Sequence, residues 1–398
     1  MSGATRIRLK KDEDRRIRAG HLWVFSNEID TRTTPLAGLE PGSIVEVEDA
    51  RGGLLGSGYA NPHSLIAIRL LTHGAATSIS KDLLRARLNR AITLRDRLFR
   101  GLPFYRLAYG ESDGLPGLVV DRFGAVLVVQ ITTAGMERWQ DDIVDILRDA
   151  TGASGILLRA DAPAREHEQL PLFVSTAHGA VPDTVSIVEN GVRFEVPIVN
   201  GQKTGWFYDH RSNRARLRPY AEGARVLDVF SYVGGWGVQA AVFGASRTVC
   251  LDSSALALRM AASNAEINGV ADRFDSLKDD AFTALQRYRE DNQKFDVVIL
   301  DPPAFIKRRK DIKEGERAYH RLNRLAMDII PAGGILVSAS CSFHLERDAL
   351  LRAILWGASR SGRDVQVVEE GHQGPDHPFH PAVPETNYLK AFFVRMLS

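Results

Sequence analysis

Two side chains able to do chemistry stand at the ends of short apolar runs. Asp301 closes Val297-Val298-Ile299-Leu300 and precedes Pro302-Pro303-Ala304-Phe305, and Cys341 follows Leu336-Val337-Ser338-Ala339-Ser340. A run of consecutive branched aliphatics reads as a strand buried on both faces of a parallel sheet, and an acid at its carboxyl end sits where open α/β sheets place their chemistry. The two prolines lack an N–H and have fixed φ, so they end the strand and make a stiff turn. On its own, Asp-Pro-Pro reads equally well as a strand terminator with a capping acid. A thiol at the same sheet edge can serve as a nucleophile. The commoner fate of a lone cysteine is a small buried hydrophobe, and that reading fits Cys250 inside Val249-Cys250-Leu251.

A second constellation lies upstream. Asp228, Phe230 and Ser231 lead into Gly234, Gly235 and Gly237, a strand-to-helix turn whose glycines allow a ligand to approach the backbone closely. No Gly-x-Gly-x-x-Gly phosphate cradle is present, and an acid at the turn suits a cationic ligand rather than a pyrophosphate. Asp252-Ser253 ends the next strand, where an acid commonly accepts ribose hydroxyls. Asp280-Ala281 follows, placed to accept from an adenine amino group beside Phe282. Each acid alone is more often a helix cap. With Asp301 they mark the carboxyl ends of four successive strands, and that order predicts S-adenosylmethionine at the switch point of the sheet. A nicotinamide site or a sheet without a ligand are the alternatives.

The elements that must position these residues can be read from periodicity. From Ala224 onward strands and helices alternate, as in a doubly wound α/β sheet, with 365–368 and 389–396 as late antiparallel strands. Residues 185–188 and 192–198 form a predicted hairpin around Asn190-Gly191. The dozen residues from Asn200 to Arg211 mix glycines, aromatics and charges, as ligand-facing loops do, and a basic helix is expected over 212–220. The region 1–74 is a small β-rich module, 75–183 an α+β middle domain, and 184–398 the hairpin plus the α/β domain. Residues 163–182 are expected to be a loop or small insertion.

Composition narrows the partners. The chain has 398 residues, 44% hydrophobic and 25% charged, enough for two or three domains with their own cores. Net charge is only +2, so any affinity for nucleic acid must come from local patches. Candidates are Lys10, Arg15 and Arg16 beside Trp23 and Phe25, Lys203 and Arg211 in the mixed loop, and Lys307 and Arg308 after Phe305. Two cysteines make no disulfide framework, and no Cys/His spacing suits zinc, so no metal is expected. With no apolar signal core and no run long enough to span a bilayer, a cytoplasmic protein without a membrane partner is expected. A homodimer is compatible with everything in the sequence.

These motifs also resemble a known family. Asp-x-Phe-x-x-x-Gly-Gly-x-Gly, Leu-Asp-x-Ser, Asp-Ala-Phe, Asp-Pro-Pro-x-Phe and Ser-Cys-Ser occur in an order similar to class I methyltransferases of the large-subunit ribosomal RNA 5-methylcytosine type. The segments from Arg15 to Phe25, Tyr109 to Leu118, Gly201 to Arg211 and His380 to Lys390 also resemble that family's segments. The resemblance implies a Rossmann-like class I domain behind an amino-terminal PUA domain, S-adenosylmethionine as cofactor, and large-subunit ribosomal RNA as partner. It further implies that Cys341 adds to C6 of cytosine while Asp301 holds the base. Where many such enzymes carry a second cysteine, Pro302, Pro303 and Ala304 stand here. Methylation of a guanine ring nitrogen or an exocyclic amine, without a thiol, is the alternative within enzymes. A catalytically inactive RNA-binding or assembly factor is the alternative outside them.

Overall fold

The computed structural model describes residues 5–74 and 79–398. The expected boundary after residue 74 thus borders 75–78, which lie outside the described residues. The chain divides into two compact units: Met1–Val185 with Pro197–Trp206 and Pro375–Thr386, and Ser186–Val196 with Phe207–Gly374 and Asn387–Ser398.

The first unit holds two five-stranded sheets. Strands β1 (Thr5–Arg8), β2 (Trp23–Phe25), β3 (Ser43–Glu48), β4 (Leu54–Ala60) and β5 (Ile66–His73), with the one-turn helix α1 (Arg15–Arg18), form the first, in the order β1-β3-β4-β5-β2. Helix α2 (Lys81–Leu98) follows, with Ser80 accepting from the Leu83 amide as its N-cap. The second sheet has the order β10-β9-β8-β7-β6. It is built from β6 (Phe104–Tyr109), β7 (Leu118–Phe123), β8 (Val126–Ile131), β9 (Gly155–Ala160) and β10 (Phe173–Gly179), with helices α3 (Ala134–Glu137), α4 (Gln140–Thr151) and α5 (Ala164–His167) between its strands.

The segment expected to be a loop over 163–182 is instead α5 and the edge strand β10, antiparallel to β9. Strand β10 is exposed along most of its length, so its sequence lacks the apolar alternation that marks a half-buried strand. Elsewhere in this unit a buried charge organises the packing. Arg95 on α2 is fully buried, and its guanidinium donates to both Asp113 oxygens (2.7 and 2.8 Å) and to the Asp376 carbonyl (2.8 Å). One cation thereby fixes the 110–114 turn and the 375–386 segment against α2.

The second unit is one seven-stranded sheet with flanking helices and a hairpin. The hairpin strands are β11 (Thr184–Glu189) and β12 (Val192–Pro197). Asn190 and Gly191 both take positive φ, 54° and 83°, as a two-residue turn of this hand requires. The expected single helix over 212–220 is two short ones, α6 (Arg211–Ala215) and α7 (Arg218–Ala221), with Pro219 in the first turn of α7. A proline ring has no N–H and clashes with the preceding turn, so it can begin α7 but not continue α6.

The chain then alternates through β13 (Arg225–Val229), α8 (Gly237–Val242), β14 (Arg247–Asp252), α9 (Ala255–Ile267), β15 (Phe274–Lys278), α10 (Ala281–Glu290), β16 (Val297–Leu300), α11 (Ile312–Asp328), β17 (Ile335–Ser340), α12 (Arg347–Arg360), β18 (Val365–His372) and β19 (Lys390–Met396). Strand order is β15-β14-β13-β16-β17-β19-β18, parallel through β17 and antiparallel beyond it. Chain order reverses between β13 and β16, and open sheets of this kind bind ligands at the carboxyl ends flanking that point. All four residues of β16 are buried, as is Phe392 across the sheet on β19. Full burial stabilises each such aliphatic side chain by about 1.5–3 kcal/mol. The apolar run preceding Asp301 therefore fixes where that acid stands.

Candidate cofactor and catalytic site

The turn between β13 and α8 is shaped from below. Asp228 is fully buried, and its Oδ2 accepts from the Gly237 amide at 2.8 Å. A Cβ on Gly237 would stand 2.4 Å from the Cys250 sulfur and 3.2 Å from Asp228 Oδ2, so glycine is required for α8 to approach the sheet. From the next strand, Asp252 accepts from the Tyr232 amide (2.9 Å) and the Ser254 amide (2.8 Å). Phe230 and Tyr232 are held at φ of 64° and 49°, a region that costs non-glycine residues about 1–3 kcal/mol each. Strain confined to a turn that two acids pin is typical of ligand sites.

The electrostatics of this turn suit a cationic nucleoside. Burial, with Asp301 and Asp252 nearby, pushes the Asp228 carboxyl up to about 7. Its Oδ1 has no hydrogen-bond partner among the described residues. A positively charged ligand group would relieve that orphaned acceptor, whereas a pyrophosphate would be repelled. The residues present therefore fit a sulfonium nucleoside. Asp280 lies after β15 and caps α10, its Oδ1 accepting from the Thr283 amide at 3.0 Å. Ser253 and Ala281 stand beside Asp252 and Asp280, and Phe282 packs 6.3 Å from Phe305.

Across the switch point, Asp301 is held by two side chains that no sequence motif singles out. His210 Nε2 lies 3.1 Å from Asp301 Oδ1, and Trp236 Nε1 donates to Oδ2 at 3.1 Å. The Asn213 amide nitrogen faces His210 Nδ1 at 3.2 Å, while its oxygen accepts from Arg216 at 3.1 Å. In the neutral ring Nδ1 is then the acceptor and Nε2 carries the proton, and Nε2 meets Asp301 as an ion-pair contact, not as an aligned hydrogen bond. Burial opposes charge on the imidazole, but the adjacent carboxylate outweighs it and raises its pKa. In return, burial pushes Asp301 upward, and His210 and Trp236 more than offset it, leaving the carboxyl below its ordinary value. Nothing in local spacing links His210 to Asp301; the signals in sequence are the charged and aromatic residues of the 200–211 segment and the resemblance of Gly201 to Arg211 to the family's corresponding stretch.

Cys341 stands directly after β17, beside β16 in the sheet, with its sulfur 3.9 Å from the Pro302 carbonyl. Its neighbours are clamped inward: the Tyr319 hydroxyl meets Ser340 Oγ at 2.8 Å and Ser342 Oγ at 3.4 Å, and the Ile306 amide donates to Ser342 Oγ at 3.3 Å. Both serines are buried while Cys341 is partly exposed, so the alternation of an extended segment turns the thiol toward the sheet edge. Lys390 on β19 donates to the Ser342 and Leu345 carbonyls, each at 2.7 Å, and burial lowers its pKa to about 8 against the pull of Cys341. Cys250, by contrast, is fully buried, and burial with Asp228 beside it drives its thiol far up.

The basic candidates separate between the two units. In the first, Lys10 donates to the Asn27 carbonyl at 2.7 Å, Arg15 is exposed 3.5 Å from Asp12, and Arg16 pairs with Glu28 and covers the Phe25 ring at 5.0 Å. Lys203 is exposed at φ 51°. In the second, Arg211 is largely buried, 3.6 Å from Glu189 and over the Tyr208 ring, whereas Lys307 and Arg308 are exposed. Among the described residues no cluster of His, Cys, Asp or Glu could hold a metal ion, and no helix is long and apolar enough to cross a membrane.

Strand order, switch point and acids together define a class: this is an S-adenosylmethionine-dependent methyltransferase. Residues 173–395 match the S-adenosylmethionine-dependent methyltransferase family, and residues 7–73 match the PUA-like domain family. A ribosomal RNA large subunit methyltransferase I from Shewanella denitrificans is 38% identical over 99% of this chain and 100% of its own length. The chain belongs to the family of ribosomal RNA large subunit methyltransferase I. Similar in fold is a Streptococcus mutans chain assigned as a SAM-dependent methyltransferase, with TM-score 0.84, 20% identity, and 98% and 100% of the two chains covered. Another, assigned as a methyltransferase and complexed with SAH, has TM-score 0.85, 20% identity and the same coverage.

Gly237→Val is expected to weaken S-adenosylmethionine binding by at least about tenfold, because its side chain must displace Cys250 or lift the amide from Asp228. Calorimetric titration of the cofactor into wild type and variant checks this.

Proposed function

We propose that this protein methylates C5 of cytosine in large-subunit ribosomal RNA through a covalent adduct at Cys341, as a cytoplasmic enzyme. The observation that carries the reading is the placement of a partly exposed thiol beside the Asp301-Pro302 turn, between two serines that are locked away. In this reading Asp228, Phe230, Ser231, Gly234, Gly235, Gly237, Asp252, Ser253, Asp280, Ala281 and Asp301 line the cofactor site. The cofactor supplies an electrophilic methyl group.

C5 of cytosine is too weakly nucleophilic to take that methyl unaided. The Cys341 thiolate adds to C6, forming an S–C6 bond, and the displaced electron pair makes C5 enamine-like. Asp301 holds the N3 and N4 edge, favouring protonation at N3 as the thiolate adds. Once C5 carries its new substituent, its proton leaves to a base, the C5–H electron pair forms the C5–C6 double bond as the S–C6 pair returns to sulfur, and N3 gives up the proton it took during addition, restoring the neutral aromatic ring. His210 and Trp236 act on Asp301, fixing its orientation and charge. Lys390 holds the turn after Cys341 and favours the thiolate electrostatically.

Mass spectrometry of nucleosides from ribosomal RNA incubated with the protein and labelled cofactor should yield 5-methylcytidine; label in guanosine or at an exocyclic amine would overturn the reading. The role of Lys390 has its own readout. Lys390→Met should slow alkylation of Cys341 by iodoacetamide at pH 7 by up to about tenfold, because a cation beside a thiol favours the reactive thiolate. That difference should narrow as pH rises through about 8, where wild-type Lys390 itself loses its proton. Peptide mapping of the alkylated cysteine reads both.

A further inference from the structure

Two segments that resemble family signatures, 109–118 and 380–390, contribute nothing to the chemistry above through their first halves. In the first unit, however, those halves meet. Glu111, Ser112, Asp113 and Gly114 from the turn after β6, and His380 from the 375–386 segment, line a cavity of about 380 Å³ together with Arg87 and Arg90 of α2 and His73 of β5.

Its charge balance is unusual. The two acids at its wall are already neutralised by groups elsewhere: Glu111 by Arg69 (2.9 Å) and the Trp23 indole N–H (2.8 Å), and Asp113 by the bidentate contact from Arg95. Arg87 has no such counter-charge. Its guanidinium donates only to the Gly114 and Leu71 carbonyls, and no carboxylate pairs with it among the described residues. Burial, with Arg90 adding to it, lowers its pKa to about 10. A half-buried cation satisfied by carbonyls alone is costly, and an arriving anion would offset that cost.

The unpaired donors point the same way. Arg87 Nε and Ser112 Oγ are buried without hydrogen-bond partners among the described residues. His380 Nδ1 accepts from the Ala382 amide at 3.2 Å, so in the neutral ring its Nε2 carries the proton and is a donor. Gly114 takes φ 71°, and its Cα side lies against the guanidinium, where a Cβ would stand 3.3 Å from Arg87 Cζ. The turn is built to let Arg87 lie flat over it. Arg90 is exposed at the rim.

We propose that this cavity is an anion site that takes a phosphate of the substrate RNA backbone, with Arg87 as its central donor and Arg90, Ser112 and His380 around it. The chemistry is that of a phosphate oxygen meeting a planar guanidinium and neutral N–H and O–H donors. The assignment rests on the reading of RNA as substrate.

The test measures binding of a labelled large-subunit ribosomal RNA fragment across a chloride series for wild type, Arg87→Met and Arg90→Gln. Each variant should bind more weakly at low salt, with a log–log salt slope shallower by about 0.7–0.9, the amount expected for one phosphate no longer neutralised. Cofactor titration and thermal unfolding confirm folding; because Arg87 is half-buried and Arg90 is not, Arg90→Gln decides the matter if Arg87→Met unfolds. Folded variants that bind RNA with wild-type affinity and slope would overturn the site. A parallel arm follows thermal unfolding with inorganic phosphate at constant ionic strength. A stabilisation abolished in the variants while RNA binding stays unchanged would assign the cavity to free phosphate and overturn the RNA assignment. If wild type binds no RNA at all, RNA methylation itself is refuted as the function, and this assignment falls with it.

Discussion

Replacing Cys341 by alanine is expected to lower kcat for RNA methylation by at least about 10³-fold, roughly 4 kcal/mol of activation free energy. RNA and cofactor affinity should change little. The size follows from the chemistry: without addition at C6, C5 has no route to becoming a competent nucleophile, and no neighbouring group substitutes for the thiol. Ser340 and Ser342 flank it, but both hydroxyls are buried and engaged by Tyr319. Structural damage should be slight, since the thiol's approach to the Pro302 carbonyl is a weak interaction and the turn is held by Lys390. Single-turnover methylation with RNA and cofactor both saturating isolates the chemical step. Cys250→Ala serves as the control; it removes a fully buried sulfur packed beneath α8 and should affect stability rather than chemistry.

Asp301→Asn is expected to cost about 10²–10⁴-fold in kcat, the range for losing a positioned acid–base group. The amide keeps the shape but cannot accept along both edges or carry the charge that favours a proton on N3. It also deprives His210 of its partner, with a consequence for stability that can be signed. His210 has a raised pKa, so its contribution is full below the unfolded value of about 6.5 and fades as pH rises through the folded one. Asp301 has a lowered pKa, so its contribution is full above the unfolded value of about 4 and fades as pH falls through the folded one. Wild type should therefore exceed Asp301→Asn in stability most between about pH 4 and pH 6.5. Chemical denaturation across pH measures this, and a difference that is flat with pH would contradict the ion pair.

Which parts of this architecture sequence could reveal depends on the range of the interactions involved. The 297–300 run, the Asn190-Gly191 turn and the alternation after Ala224 are local signals, and the structure realises each of them. Strand β10 is illegible because an exposed edge strand carries little apolar pattern. The break between α6 and α7 is legible in principle: Pro219 marks it, but the basic character of the segment masks the proline's weight. The partnerships of His210 with Asp301 and of Lys390 with the turn after Cys341 depend on tertiary placement in the second unit, and no spacing along the chain encodes them. The same holds for Arg87. A guanidinium paired only with carbonyls looks, in sequence, like any arginine on a basic helix.

The central claim is a covalent bond between Cys341 and cytosine, and RNA carrying 5-fluorocytidine tests it directly. Fluorine at C5 cannot leave as the proton does, so the enzyme should be trapped once C6 has been attacked and the methyl accepted. The prediction is a protein–RNA complex that survives denaturant, requires S-adenosylmethionine, and yields after digestion a peptide with the nucleotide attached at Cys341. Turnover of ordinary RNA with no trapped complex on the fluorinated RNA, or attachment at a residue other than Cys341, would contradict it.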